Sequence, residues 1–291
     1  MASRAVQFGV LLIAALFLGV TATGAQETRY FVAYSSHLEE PGNLEVELFS
    51  TYGTQKGAGD FIAPWAEFEY GATAWWTTEL YFDFQRTFGD TAVFTGTRWE
   101  NRFRPLMREH WINPVLYVEF ENITAADKTL KEVVGFDNQL DGASPNVLSS
   151  QSHLREVETK LILSSDFKGW NFSENFTGEK NLGHAPWEFG YALGAARPLR
   201  LAAAPDPCNF CRENFIFGAE MYGGLGTASA FTFSNTSHYL APILAWQLPN
   251  GVTWSISPGF GLAPQSHRFL LRCGMSYELA GFGRKVRGLL P

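Results

Sequence analysis

Short segments in which charged residues alternate with apolar or aromatic ones recur along this chain. Trp65–Tyr70 (WAEFEY) and Glu79–Phe84 (ELYFDF) are clear examples. Alternation with period two is typical of a β-strand with two unlike faces. A soluble β-sandwich buries the apolar face, whereas a membrane β-barrel turns the apolar face to lipid and the charged face to its lumen. Other features of the sequence decide between these two folds.

Residues 1–25 have the pattern of a cleaved signal peptide. Arg4 supplies a positive charge, Phe8–Val20 is apolar, and Thr23–Ala25 are small residues ahead of the expected cleavage point. The apolar run is too short for a spanning helix, although an uncleaved anchor is the alternative interpretation. No later run is long and apolar enough for a membrane helix, so residence in a membrane would require a closed barrel.

About twelve strands are predicted, each of about ten residues, which is the length that a tilted strand needs to cross the hydrocarbon layer. They cover approximately 43–53, 62–72, 75–86, 96–106, 114–123, 153–165, 169–178, 186–197, 213–224, 236–247, 251–262 and 267–279. Short connections rich in turn residues alternate with long ones such as 125–152, although 198–212 and 263–265 break this rhythm. The alternation indicates short periplasmic turns and long outer loops, with both termini in the periplasm.

The tryptophans favour the barrel. Most are expected near the short turns, and Trp65, Trp99 and Trp187 near the other strand ends, as two interfacial girdles would require. The predicted fold is therefore all-β, a closed up-and-down antiparallel transmembrane β-barrel of about 12 strands in a bacterial outer membrane. The predicted regions are a signal peptide (1–25), a periplasmic lead-in (26–42), the barrel (43–282) and a C-terminal tail (283–291).

The charged face of the strands supplies the candidate pore lining. The predicted pore-lining residues are Glu67, Glu69, Glu79, Asp83, Arg98, Glu100, Arg102, Glu119 and Glu158. The arginines of the fourth strand lie between acidic strands and can pair across the sheet. A second wall of small residues, including Gly190, Gly194 and Gly218, would permit a water-filled cleft. Two interpretations stay open: a selectivity surface for small polar or cationic solutes, or a salt-bridged lumen that passes little.

Composition and cysteine spacing exclude several classes of function. The formal charge is −7 and no Lys/Arg cluster occurs, which argues against nucleic-acid binding. Cys208 and Cys211 are expected to form a local disulfide in an exported protein, with Cys273 apart from them. A haem attachment site needs histidine where Arg212 stands, and a zinc site lacks its second pair of ligands. No cofactor or metal site is predicted.

An enzymatic function is not predicted either. Barrel lipid hydrolases commonly carry a His-x-Ser pair on a strand, and none of the six histidines is followed by serine at that spacing. Phosphate-loop, HExxH and EF-hand patterns are also missing from the sequence.

Several motifs resemble one known group of proteins. Glu39–Glu47 (EEPGNLEVE), Glu67–Gly71 at a tight turn, Thr78–Asp83, Asn113–Glu119 and Trp187–Gly190 occur in the order found in that group. The chain resembles bacterial outer-membrane β-barrel proteins of the transporter or phenol meta-pathway channel type. The resemblance implies a barrel and leaves the solute open. Such proteins tend to end on an aromatic residue, whereas this chain continues into a basic tail.

The function expected from the sequence is a passive channel or facilitator for small polar or cationic solutes, with outer-membrane lipid and the solute as its partners. A plugged barrel with a structural or surface role, contacting others through loop 125–152, is the alternative. A secreted soluble β-sandwich is the third interpretation. The sequence does not specify an oligomeric state.

Overall fold

The computed structural model describes residues 30–55, 59–136, 144–151, 153–183, 185–202 and 208–288. The predicted signal peptide, residues 26–29 of the lead-in, part of the longest loop and residues 289–291 of the tail lie outside these ranges. Among the described residues, no helix combines the length and apolar character needed to cross a bilayer.

Long antiparallel strands account for most of the described chain. They are β1 (Leu44–Gly53), β2 (Phe61–Thr73), β3 (Trp76–Thr87), β4 (Ala92–Phe103), β5 (Asn113–Thr124), β6 (His153–Phe167), β7 (Trp170–Asn181), β8 (Glu188–Pro198), β9 (Phe215–Thr227), β10 (Ala230–Phe231), β11 (His238–Gln247), β12 (Val252–Gly261) and β13 (Phe269–Leu279). Two short helices, α1 (Pro145–Gln151) and α2 (Phe282–Arg287), accompany them.

The sheet closes on itself because its first and last strands pair. β1 pairs with β13 along its whole length, from Leu44 opposite Leu279 to Gly53 opposite Leu270. β8 and β9 join the remaining two edges, and β10 only extends a hairpin from β9. Within the described ranges, twelve long strands therefore form the closed up-and-down barrel that the sequence predicted.

The connections distinguish the two ends of the barrel. The end where β1 begins and β13 finishes is called the turn end here, and the opposite end is the loop end. At the turn end Lys168 and Gly169 join β6 to β7 with φ angles of 50° and 81°, which suits a two-residue type I′ hairpin turn. The β8–β9 connection, 199–214, is the long exception that the sequence indicated.

Alternate side chains on each strand face outward, and most of them are apolar. On β5, Leu116 and Phe120 are 50% and 47% exposed, whereas Tyr117 and Glu119 between them are buried. The same exposed belt includes Leu48, Phe68, Leu80, Phe84, Leu161, Phe176, Leu193, Leu240, Leu244, Ile256 and Phe260. Apolar side chains outside and charged ones inside are the arrangement of a barrel in lipid.

The tryptophan prediction holds only in part. Trp75, Trp111 and Trp254 are exposed near the turn end, as a girdle requires. Trp65 was predicted in the opposite girdle but lies inside the barrel, with its ring stacked 5.6 Å from that of Phe49. The reason is phase: Trp65 is two residues from Glu67 on β2, so both side chains point to the lumen.

One predicted strand boundary is also corrected. β4 spans Ala92–Phe103 rather than 96–106, because a tight turn closed by Thr87 N–H on the Thr91 carbonyl (3.0 Å) starts it early. Pro105, which has no N–H to donate, follows its end. The described part of the predicted periplasmic lead-in, 30–42, lies largely inside the barrel, where Tyr30–Tyr34 are buried. The tail begins as α2, where Gly283 N–H donates to the Gly42 carbonyl at 2.9 Å.

Candidate functional site in the lumen

Two segments from opposite ends of the barrel meet inside it. The N-terminal insert, Tyr30–Gly42, enters from the turn end, and the loop insert, Ala125–Phe136, enters from the loop end. Phe31 of the first insert and Leu130 and Val133 of the second belong to one buried apolar cluster. The middle of the lumen is therefore filled by chain as well as by the side chains of the strands.

Glu220 of β9 anchors the N-terminal insert. One of its carboxylate oxygens accepts hydrogen bonds from three successive backbone N–H groups, those of Phe31 (3.0 Å), Val32 (2.7 Å) and Ala33 (2.7 Å). All four residues are buried. Successive N–H groups that converge on one anionic oxygen form a concave anion-binding turn, and bonds to a charged acceptor are stronger than neutral ones. The insert is thus attached to the wall through its backbone.

Tyr34 places its side chain at the centre of the lumen. Its hydroxyl donates to Glu100 at 3.0 Å and its backbone N–H donates to the Asn175 side chain at 2.6 Å. Its ring packs against that of Tyr117, with centroids 5.2 Å apart, and the Lys160 ammonium lies 4.7 Å from the ring centre. Tyr34 therefore links the insert to charged side chains on β4 and β6, to an amide on β7 and to the aromatic ring on β5.

The loop insert carries a neighbouring pair of opposite charges into the lumen. The Lys131 ammonium lies 3.1 Å from a carboxylate oxygen of Glu67. A carboxylate oxygen of Glu132 lies 3.1 Å from the Arg98 guanidinium and 3.7 Å from the Lys160 ammonium. The loop insert is therefore held by ion pairs on the half of the wall formed by β2–β6, where Tyr34 of the N-terminal insert also bonds to Glu100.

The charges around the loop insert shift its acid groups in opposite directions. Burial raises the pKa of the Glu132 carboxyl, but Arg98 and Lys160 outweigh this effect and hold the pKa below its usual value. Burial and the nearby Asp83 raise the pKa of Asp127 to about 6. Glu132 is therefore held as an anion by the cations that it contacts, whereas Asp127 gains no comparable partner.

The nine predicted pore-lining residues all point into the barrel and are buried. They are Glu67, Glu69, Glu79, Asp83, Arg98, Glu100, Arg102, Glu119 and Glu158. The two arginines organise most of them. The Arg98 guanidinium donates to both oxygens of Asp83, at 2.8 and 3.1 Å, and lies 3.6 Å from Glu119. Such a bidentate pair fixes both side chains in place.

Arg102 forms the second centre. Its Nε donates to Glu79 at 2.7 Å and lies 3.2 Å from Glu100, and its terminal nitrogen pairs with Glu69. Glu158 is paired separately, at 2.6 Å from the Lys160 ammonium. The predicted pairing of the β4 arginines across the sheet is therefore present, and the acidic residues of this wall share a small number of cations.

Two cavities approach the packed centre from opposite ends. The loop-end cavity has a volume of about 340 Å³ and is lined by Arg98, Glu121, Glu132 and Glu156, among others. The turn-end cavity has a volume of about 250 Å³, and His37 is among its lining residues.

The same strands line both cavities. On β5, Glu121 lines the loop-end cavity and Asn113 lines the turn-end cavity. The inward-facing residues between them are Glu119, Tyr117 and Val115. Seven residues of β5 lie between Glu121 and Asn113, a length of roughly 26 Å along the strand, and Tyr34 packs against Tyr117 within this stretch.

The wall of small residues does not form the water-filled cleft that the sequence suggested. A Cβ atom on Gly194 would lie 2.6 Å from the ring of Tyr30, and one on Gly190 would lie 2.4 Å from the Val133 carbonyl oxygen. Both contacts are too close for any side chain. The small residues make room for the two inserts, which occupy the space.

Cys208 and Cys211 form a disulfide in the β8–β9 connection at the turn end, with their Cα atoms 5.4 Å apart. Between them Phe210 stacks on Trp246 of β11, with ring centroids 4.8 Å apart. Cys273 is a free, exposed cysteine. The pair therefore closes a loop outside the lumen.

Sequence reasoning missed the residues that fill the centre. Tyr34, Lys131 and Glu132 all lie outside the strands, and only strand residues were considered as lumen side chains. Two signals were available: the apolar run Tyr30–Tyr34 just ahead of β1, and the adjacent cation and anion, Lys131 and Glu132, in the longest loop.

Comparisons with known proteins gave structural neighbours only. No family model and no curated protein matches the sequence. An outer membrane channel from Pseudomonas putida F1 has a similar structure, with a TM-score of 0.52 and 11% identity, over 88% of this chain and 100% of that one. The NanC porin gives a TM-score of 0.48 and 11% identity, over 80% of this chain and 100% of that one. LpxR from Salmonella typhimurium gives a TM-score of 0.41 and 10% identity, over 81% and 99%.

Identities this low establish the fold alone. The first of these structures shares the closed barrel over its whole length, and the exposed apolar belt described above is the kind of outer surface that such a barrel presents to lipid. The chain is a closed β-barrel with the fold of outer-membrane barrel proteins.

Proposed function

We propose that the protein is a channel for small polar or cationic solutes, and that the N-terminal insert closes it in the state described here. The supporting observation is the pair of cavities on one side of the lumen, one at each end, with Tyr34 packed between them. A barrel built only for rigidity would not need two water-accessible cavities along the same strands. Transport along charged side chains also accounts for the concentration of inward-facing charges on β2–β6.

The excess of carboxylates on this wall is the basis for proposing cations or polar neutral solutes. Arg98 and Arg102 are the main fixed positive charges on the strands that line the path, and each is shared among several acids. A passing cation would be attracted by the acids and repelled by the two arginines. The arginines should therefore limit cation preference.

The experiment is a reversal-potential measurement in planar bilayers across a KCl gradient. Replacing Arg98 and Arg102 by serine should increase cation preference. Arg86→Ser is the matched control, because Arg86 lies on β3 but faces outward and is exposed. A reversal potential that the double substitution leaves unmoved, in a folded and conducting barrel, would remove both arginines from the path.

Closure by the insert predicts that the unmodified protein conducts rarely. The measurement is therefore repeated with Glu220→Ala, which removes the anchor of the insert. Liposome swelling with sugars, amines and phenols of matched size compares solute classes. Phenols are included because of the sequence resemblance to phenol meta-pathway channels.

A permanently closed barrel with a structural role is the second candidate, and the filled centre of the lumen favours it. It predicts that neither the unmodified protein nor Glu220→Ala conducts. Both should still show the heat-dependent gel shift of a closed barrel. We also propose that the protein is not an enzyme.

A further inference from the structure

Two groups of three buried carboxylates stand out in the lumen, and their surroundings differ. Glu67, Glu69 and Glu79 form one, and Glu119, Glu121 and Glu158 form the other; in each, one oxygen from every residue lies within 4.8 Å of the others. The first group is compensated from within the protein. Lys131 pairs with Glu67, and Arg102 pairs with both Glu69 and Glu79.

The second group lacks compensation at one member. Glu158 is paired with Lys160 at 2.6 Å, and Glu119 lies 3.6 Å from Arg98 and accepts a hydrogen bond from the Tyr117 hydroxyl at 3.0 Å. Glu121 is 7% exposed, and its Oε1 is buried without a hydrogen-bond partner among the described residues. A buried carboxylate without a hydrogen bond or cation is energetically costly, so it calls for a ligand or a proton.

Access distinguishes this group as well. Glu121 lines the loop-end cavity of about 340 Å³, so water and small ions reach it from that end. Glu156, its neighbour on β6, lines the same cavity and accepts a hydrogen bond from Asn181 at 2.9 Å. Three converging carboxylates beside a water-accessible cavity supply hard oxygen ligands together with room for coordinated water.

We propose that Glu119, Glu121 and Glu158 bind a divalent cation of the calcium type at the inner end of the loop-end cavity. Calcium accepts six to eight oxygen ligands in irregular geometry, whereas magnesium requires near-ideal octahedral geometry and holds its waters tightly. Carboxylates fixed on two neighbouring strands cannot rearrange freely, so the less demanding ion fits better. Arg98 and Lys160 reduce the net negative charge around the three carboxylates and should weaken their affinity for the cation.

This site does not depend on conduction, because it is reached in the closed barrel. The sequence predicted no metal site, since its ligands come from β5 and β6 and form no local motif. A bound cation would also join the two strands that flank the loop insert.

The test uses terbium luminescence on the refolded, chelator-treated protein in detergent that contains no lipopolysaccharide. Terbium replaces calcium and is excited through nearby tyrosine, here Tyr117, whose hydroxyl contacts Glu119. The expected result is one saturable terbium site per chain that calcium displaces more effectively than magnesium. Glu121→Gln should weaken both terbium and calcium binding at least tenfold.

Glu69→Gln is the matched control, because it removes a carboxylate from the group that Arg102 already compensates. Binding in that variant should stay within twofold of the unmodified protein. Should Glu121→Gln fail to refold, Glu119→Gln tests the same prediction. The proposal is overturned if terbium does not saturate, if calcium does not displace it, or if the Glu69 and Glu121 variants bind alike.

Discussion

Replacing Glu220 by alanine should release the N-terminal insert from the lumen while the strands of the β-barrel stay paired. Glu220 accepts three backbone hydrogen bonds through one oxygen, from Phe31, Val32 and Ala33. Hydrogen bonds to a charged partner contribute about 1.5 to 3 kcal/mol each, so their loss disfavours insertion by roughly 4 to 9 kcal/mol. This range is an upper bound, because water can enter and bond the freed N–H groups.

Even the lower value is large for an equilibrium between an inserted and a withdrawn segment. A change of about 4 kcal/mol shifts the ratio of the two forms by about a thousandfold. Glu220→Gln should have about half the effect of Glu220→Ala, because an amide oxygen still accepts the three bonds but carries no charge. The two substitutions therefore form a graded series.

The assay measures how fast a cysteine at position 33 reacts with a hydrophilic maleimide. Ala33 is 3% exposed, so the label reaches it only when the insert withdraws. Cys273 is first replaced by serine, because it is free and exposed. The rate should rise at least tenfold in Glu220→Gln and more in Glu220→Ala.

The matched control is Glu121→Ala, which removes a buried lumen carboxylate that accepts no hydrogen bond from the insert. Its labelling rate should equal that of the parent protein. Labelling rates within twofold of the parent in Glu220→Ala, in protein that still shows the heat-dependent gel shift, would refute the anchoring role of Glu220.

Three further predictions follow from single features. Tyr34→Ala should join the two cavities and raise conductance while labelling at position 33 stays slow, because the ring is lost and the Glu220 anchor remains; equal conductance would contradict the position assigned to Tyr34. Burial and the nearby Lys128 lower the pKa of His267 from 6.5 to about 4, so the folded state favours the neutral ring. The contribution of the neutral His267 ring to the stability of the folded state is complete above pH 6.5 and is lost as the pH falls towards 4. At pH 5 the loss is about 2 kcal/mol, which should be measured as faster hydrogen exchange in 262–268. The same pH change should not accelerate exchange in His267→Asn. Replacing Cys208 and Cys211 by serine should cost at most about 2 kcal/mol, confined to protease sensitivity of 199–214, since the closed loop is short; a lower melting temperature of the barrel would contradict this.

The strand pattern was readable from the sequence because period-two alternation is a local property. On β5, Leu116 and Phe120 face outward and Tyr117 and Glu119 inward, as alternation requires. The direction of each acidic side chain in the candidate site follows from the same rule. Trp65 was predicted in a girdle because it is a tryptophan, although the alternation along β2 places its side chain on the same inward face as that of Glu67.

The contents of the lumen could not be read in this way. The backbone of Phe31 bonds to a side chain 189 residues away, and no local pattern encodes such a contact. The glycines at 190 and 194 were recognised as a wall of small residues, but small residues equally permit water or another segment of chain. The choice depends on shape complementarity across the lumen, which requires the three-dimensional arrangement.

The attachment of the N-terminal insert to β9 has a consequence for the order of assembly. The insert directly precedes β1, and β1 must pair with β13 to close the barrel. A segment that occupies the lumen and bonds to Glu220 must therefore enter before this seam closes or thread through the turn end afterwards. Contacts between such distant parts of a chain form slowly. In the last step of folding, the insert should bind in the lumen and β1 should pair with β13 together. A variant that lacks the Glu220 anchor should therefore close its barrel earlier than the natural chain.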